Sequence, residues 1–349
     1  MASGSVDVTY RGIFQKNLAS LMTKEIVKAA RREQKFGGTV QRYGDSPERN
    51  GIPAKQYAIV TDTETELHIE MTKYEPDNVR VICVMDDTLV KGVESWAWYG
   101  VQPININLNP GGTLLVISRR RPQELLQVIP QKPFPWTLAV LPGDASFAGL
   151  WVYKDDGTDY RTIGAVARVA PDLVSIETLR QYLTDAPRTE QKRAWLDDGY
   201  DTVEVYPVAA GEGAEDTYVP MEKPGWTEMR EGLAIPAIPV GQNNELFKKY
   251  TTRSSRPVVN FDTCTKCKLC FLECPDEIFS LTAQGHYRVN YEHCCGCGIC
   301  AEVCPIDGCI TMVNELEFTD NRDLYALYEA DPVQYQSLIQ QKIHAQEVM

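Results

Sequence analysis

Apolar and polar positions alternate from Val6 to Tyr10, the period-two pattern of a half-buried strand. From Phe14 to Gln34 the period lengthens. Leu18, Leu21, Met22, Ile26 and Ala29 return every three to four residues, which predicts an amphipathic helix. Apolar or β-branched runs at Ala54–Val60, Val79–Met85 and Thr113–Ser118 sit between turn residues and predict further strands, with Asn109-Pro110-Gly111-Gly112 as the turn before the last. Ile163–Val169 is an apolar segment, and Ser175–Leu183 follows as a helix capped by Ser175. Strands and helices thus alternate through residue 183, so 1–183 is expected to be an α/β domain.

The pattern then breaks. Prolines at 187, 207, 220, 224, 236 and 239 predict that 184–257 holds no long regular element. Trp195, Val203, Val205, Trp226 and Ile235 are nevertheless too apolar for pure disorder, so an irregular extended arm packed on another surface is expected. At the other end, Asn321–Gln346 is helical in pattern with a break near Pro332, making 314–349 a helical tail.

Composition narrows the function classes. The 349 residues suffice for two or three domains with a substantial core. A net charge of −13 repels nucleic-acid phosphates and anionic lipid, so no nucleic-acid partner is expected. No apolar run is long enough to predict membrane insertion, and Met1–Tyr10 lacks the basic-then-apolar order of a secretory signal. A soluble, cytoplasmic protein is the expectation.

The chemistry is concentrated in one segment: ten of the 11 cysteines lie between Cys264 and Cys309. Cys264, Cys267, Cys270 and Cys274 precede Pro275; Cys294, Cys297, Cys300 and Cys304 precede Pro305, each displaced by 30 residues from its counterpart. In C-x2-C-x2-C-x3-C-P spacing three thiolates hold three corners of one iron–sulfur cube and the fourth reaches the neighbouring cube. The expected ligand sets are therefore Cys264, Cys267, Cys270 and Cys304 for one [4Fe–4S] cluster, and Cys294, Cys297, Cys300 and Cys274 for the other. A zinc ribbon uses two C-x2-C pairs and has no need of the third thiolate or the proline. Cys295 and Cys309 fall outside the pattern and are expected to pack, with local sulfur contacts as their one further role. Cys83, in an apolar run, is expected in a buried strand.

Between Val258 and Met312 seven acidic residues face three basic ones, which favours low-potential, one-electron chemistry. Gly296 and Gly298 let the backbone approach the second cube closely. Lys248, Lys249, Arg253 and Arg256 precede the cysteines and either offset this charge, dock an acidic carrier or form a solvated face. Arg119-Arg120-Arg121 and Asp86-Asp87 are expected in solvent-facing loops. The four histidines are scattered and make no catalytic triad visible.

The repeat resembles bacterial two-cluster ferredoxins, and its lead-in Arg253-Ser254-Ser255-Arg256-Pro257-Val258 resembles that of the delta subunit of 2-oxoacid:ferredoxin oxidoreductases. Tyr43-Gly44 and Pro47-Glu48-Arg49-Asn50-Gly51-Ile52-Pro53 resemble the gamma subunit's Tyr-Gly-Pro-Glu-Arg-x-Gly-x-Pro stretch, with Asp45 and Ser46 inserted. Tyr74-Glu75-Pro76-Asp77 and Asn109-Pro110-Gly111-Gly112 are similar to two further gamma landmarks. The resemblance implies a fused gamma–delta chain: a gamma-like α/β domain (1–183), an arm (184–257), a small α+β two-cluster ferredoxin-like domain (258–313) and the tail. It further implies alpha and beta partner subunits carrying thiamine diphosphate, Mg2+ and a third [4Fe–4S] cluster, an external ferredoxin as acceptor, and a dimer of heterotrimers. No catalytic residue is then expected in this chain. In place of the gamma subunit's Arg-Gly-x-Gly-Gly-Gln-Gly stands Arg11-Gly12-Ile13-Phe14-Gln15-Lys16-Asn17, a departure that removes the glycine-rich anion loop expected for coenzyme A. Oxalate oxidoreductase, a fused member that does not use coenzyme A, is the resulting preference, with pyruvate- and phenylglyoxylate-type enzymes as rivals.

Overall fold

Val6, Val8 and Tyr10, the apolar half of the alternating run, enter the main core from β1 (Gly4–Arg11), while Asp7 and Thr9 lie buried on the other side. The computed structural model describes residues 4–42, 53–73, 75–76, 79–94, 101–143, 157–185, 187–219 and 249–348. They fall into two units: Met1–Val93 with Pro103–Thr217, and Glu94–Gln102 with Tyr218–Met349. Tyr43–Ile52, Tyr74, Asp77, Trp226, Ile235 and Lys248 lie outside the described residues.

In the first unit, helix α1 (Gly12–Arg32) follows β1 directly and buries Ala19, Met22, Ile26, Ala29 and Ala30, the predicted face. Next come β2 (Phe36–Arg42), β3 (Pro53–Thr61), α2 (Glu64–Met71) and β4 (Val79–Val84), then the two-residue strands β5 (Val93–Glu94) and β6 (Val101–Gln102), which pair with each other and of which β6 belongs to the second unit. They are followed by β7 (Leu108–Ile117), α3 (Pro122–Leu125), β8 (Trp136–Leu141), α4 (Thr158–Val169), α5 (Ile176–Tyr182), α6 (Thr189–Thr202) and β9 (Glu204–Val208). The mixed sheet runs β2-β3-β1-β4-β7-β8-β9, with β1, β4, β7 and β8 parallel. Its core packs α1, α4, α5 and α6 on one face, and Ser175 Oγ caps α5 by accepting from Thr178 N at 3.2 Å.

The expected boundary at 183 is corrected: the α/β unit continues to Thr217. Between Pro187 and Pro207 the chain is free of proline, and Trp195 and Leu196 drive α6 onto α4. The crossing is close because two glycines face it; a Cβ on Gly164 would lie 2.0 Å from Leu196 O, and one on Gly199 1.9 Å from Arg161 O. Pro207 is tolerated because β9 is an edge strand, where a missing N–H breaks no inner ladder.

In the second unit β10 (Ser255–Val259) pairs antiparallel with β13 (Ile310–Asn314), and β11 (Phe279–Leu281) with β12 (Tyr287–Val289). One-turn helices α7 (Leu269–Leu272) and α8 (Ile299–Glu302) follow the two cysteine loops. The tail forms α9 (Leu324–Ala330) and α10 (Pro332–Val348), meeting at Asp331. It is built into the domain core: Tyr335 is fully buried and its hydroxyl donates to Val259 O at 2.5 Å, while Phe261 packs against Tyr325, Tyr328 and Tyr335.

Candidate metal centres

The sequence repeat is also a hydrogen-bond repeat. Phe271 N and Leu272 N donate to Lys268 O, and Ala301 N and Glu302 N to Gly298 O, all between 3.0 and 3.1 Å. Asn260 and Asn290 each turn a side-chain oxygen to the N–H two residues on, at 3.2 and 3.1 Å. Within the cysteine loops Lys266 and Lys268 adopt φ of 59° and 71°, and Gly296 and Gly298 71° and 82°. Left-handed residues alternating with right-handed ones turn successive N–H groups to one side, a concavity suited to an anionic group.

Two cavities lie inside these loops. One is lined by Cys264, Cys267 and Cys270 together with Cys304. The other is lined by Cys294, Cys297 and Cys300 together with Cys274. Each thus takes three thiols from one repeat and the last from its twin. All are free thiols. Among the described residues no three His, Cys, Asp or Glu side chains converge on a single-ion site. Each cavity is lined by the four thiols of the repeat spacing and one further cysteine, Cys309 in the first and Cys295 in the second, and these with apolar neighbours such as Val259, Ile310, Ile278 and Phe279 fit a [4Fe–4S] cube in each.

Ligation needs thiolates. Burial pushes Cys270 and Cys294 up to about 11 and Cys300 up to about 12, so cluster insertion displaces protons from them at neutral pH. Cys297 moves the other way, to about 6, because the Cys295 thiol hydrogen-bonds to it; Cys295 is raised correspondingly. Cys309 lines the other cavity, where its thiol donates to Asn260 O at 3.6 Å and burial raises it to about 12. Cys83 is fully buried in β4 with its pKa raised by burial, and His286 packs among Phe261, Tyr325 and Tyr328.

Two expectations of solvent exposure are overturned. Arg253 and Arg256 are each 1 % exposed and both bind Glu315, an acid 62 and 59 residues away that no local pattern announces. Asp86 and Asp87 are also buried, at the C-terminal edge of the sheet. Asp86 accepts from Thr88 N and Oγ1 at 3.0 and 2.6 Å and lies 3.6 Å from Arg11 Nε; Asp87 accepts from Ser118 Oγ at 2.6 Å. Burial, then repulsion from Asp86, pushes Asp87 up to about 6. At the start of α1, Gln15 Oε1 accepts from Arg11 N at 2.7 Å, occupying a donor that a glycine-rich loop would leave open.

Solved structures that align with the chain include three subunits or complexes of oxidoreductases. The pyruvate oxidoreductase subunit PORC of Thermotoga maritima does so at 19 % identity and TM-score 0.42, over 58 % of this chain and 98 % of that one. The gamma subunit of a keto/oxoacid ferredoxin oxidoreductase from Geobacter sulfurreducens aligns at 17 % and 0.37, over 57 % and 97 %. A 2-oxoglutarate:ferredoxin oxidoreductase from Magnetococcus marinus aligns at 15 % and 0.35, over 57 % of this chain and 30 % of that one. Among the described residues no helix is long and apolar enough to cross a membrane. Residues 257–312 match the 4Fe-4S dicluster domain family, in agreement with the twinned cavities, and this part of the chain is a ferredoxin-like 4Fe-4S domain.

Proposed function

We propose that the chain is the electron-transfer subunit, a fused gamma–delta polypeptide, of a thiamine-diphosphate-dependent 2-oxoacid:ferredoxin oxidoreductase. Oxidative decarboxylation takes place on alpha and beta partner subunits that hold thiamine diphosphate, Mg2+ and a third [4Fe–4S] cluster, and an external ferredoxin receives the electrons. The observation that carries the reading is the pair of cavities, each bringing together the first three repeat-spaced cysteines of one repeat and the last of the other. The gamma and delta motifs of the sequence supply the family.

Bound [4Fe–4S] clusters supply one-electron, low-potential chemistry. Cys264, Cys267, Cys270 and Cys304 hold one, and Cys294, Cys297, Cys300 and Cys274 the other. The backbone N–H groups of Phe271, Gly296 and Ile299, which reach the thiols of Cys270, Cys294 and Cys297, would stabilise these sulfurs as thiolates. Oxalate is the favoured substrate, because Gln15 closes on Arg11 N where a coenzyme A phosphate would need free N–H groups.

Anaerobic purification with iron and acid-labile sulfide analysis tests the chain itself. About eight of each per polypeptide are expected, with interacting four-iron signals in low-temperature electron paramagnetic resonance after reduction. Zinc without sulfide, one isolated cluster, or substrate turnover by the chain alone would refute the reading. Companion subunits lacking any thiamine site in the native assembly would refute the family.

A further inference from the structure

Arg253 and Arg256 share a single carboxylate. Glu315 Oε2 accepts from Arg253 Nε at 2.6 Å and Arg256 Nε at 2.9 Å, and its Oε1 accepts from their terminal nitrogens at 3.0 and 2.5 Å. Every other acceptor of the two arginines among the described residues is neutral. Asn321 Oδ1 takes one bond from each arginine, at 2.5 and 3.0 Å; Asp320 offers its backbone carbonyl to Arg256, and Tyr291 and Cys294 offer theirs to Arg253. The Asp320 carboxylate turns to Arg322 instead. Two guanidinium groups against one carboxylate leave the interior with a net positive charge, an arrangement whose desolvation cost calls for a counter-charge nearby.

The Cys294 cavity adjoins this network. Arg253 donates to the Cys294 carbonyl at 3.1 Å, and Pro257 and Gly296 line that cavity. A Cβ on Gly296 would lie 2.6 Å from Arg253 Cβ. Among the described residues the twin cavity has no buried cation: Lys266 and Lys268, which line it, are exposed, where water and salt screen them. A buried charge acts through a lower effective dielectric than an exposed one, and it favours the form of a cluster that carries one more electron.

We propose that the Arg253–Glu315–Arg256 network raises the potential of the cluster in the Cys294 cavity above that of its twin, so that a single electron in the domain rests there. The inference depends on the two-cluster reading, and iron and sulfide counts taken first separate failure of that reading from failure of this one.

Asn321→Asp is the decisive variant. It keeps the acceptor for both arginines, adds one negative charge and cancels the excess, so the fold is retained. Potentiometric titration of the full chain, followed by paramagnetic resonance, reads two one-electron couples. Sensitivity to Cys297→Ser assigns the couple of the Cys294 cavity. In Asn321→Asp that couple falls by about tenfold in its reduced-to-oxidised ratio at fixed potential, or 59 mV for one electron. The other couple stays within about threefold. Arg256→Lys, which keeps the charge but breaks the fork, leaves both couples in place. Equal movement of both couples, no movement in Asn321→Asp, or a shift in Arg256→Lys as large as in Asn321→Asp would overturn the proposal. A change in thermal stability alone, with both couples fixed, would assign the network a purely structural role.

Discussion

Lys266 and Gly296 hold the same backbone conformation 30 positions apart, at φ of 59° and 71°. The left-handed turn therefore belongs to the loop and not to the residue type. The two positions differ in what surrounds them: a Cβ on Gly296 would lie 2.3 Å from Ser255 O, which is backbone and cannot yield. Gly296→Ala is expected to destabilise the domain by on the order of 3 kcal/mol and to deplete the Cys294 cavity of iron. Lys266→Gly relieves a left-handed lysine and stabilises the unliganded fold by about 1 kcal/mol. Anaerobic urea denaturation checks both; equal effects at the two sites would contradict the argument.

Cys274 belongs to the first repeat but lines the cavity of the second. Cys274→Ala is thus expected to lose the cluster of Cys294, Cys297 and Cys300, halving iron to about four and abolishing the spin–spin interaction. In that background Cys297→Ser has no spectroscopic effect left to exert, while Cys267→Ser still does. The reverse pattern would mean that each repeat ligates its own cluster.

The parts of this molecule legible in its sequence are those set by near neighbours. Alternation in β1 and the three-to-four spacing in α1 reflect the local geometry of the backbone, and C-x2-C spacing is itself the geometry of ligation. Helix α6 was hidden because six prolines over a long stretch mask the proline-free window that contains it. β8 (Trp136–Leu141), between Pro135 and Pro142, carries a signal of that kind too, an apolar run bounded by breakers. Burial of Arg253, Arg256, Asp86 and Asp87 depends on partners far along the chain or on the packing of strand ends, which no local pattern encodes. The tail's helices were legible for the same reason as α1, but not their place in the core, which Tyr335 and Phe261 settle through long-range contact.

Tyr335 joins α10 to the strand that borders the first cavity, through the hydroxyl bond to Val259 O. Tyr335→Phe removes that bond but keeps the ring, and is expected to cost about 1–2 kcal/mol. Tyr335→Ala also empties a fully buried site and is expected to cost about 3–5 kcal/mol. If the tail were an independent appendage, neither change would alter the denaturation midpoint of the cluster domain, whose loss is read by bleaching of the iron–sulfur absorbance.

Asp87 gives the α/β unit a pH dependence of definite sign. One carboxylate oxygen accepts from Ser118, and the other is buried without a hydrogen bond. Its pKa of about 6 in the folded chain lies above the 3.8 of an ordinary aspartate. Between those values the native state binds more protons than the unfolded one, so this group's contribution to stability falls as pH rises from about 4 to about 6 and levels off above. Asp87→Asn keeps an acceptor for Ser118 and cannot ionise. Relative to the parent it is expected to be equal near pH 4 and more stable at pH 7, by up to about 3 kcal/mol at 1.36 kcal/mol per unit. Urea denaturation of both proteins across this window checks the difference. A gap that stayed constant with pH would show that Asp87 is already ionised throughout, with Arg120 compensating its charge.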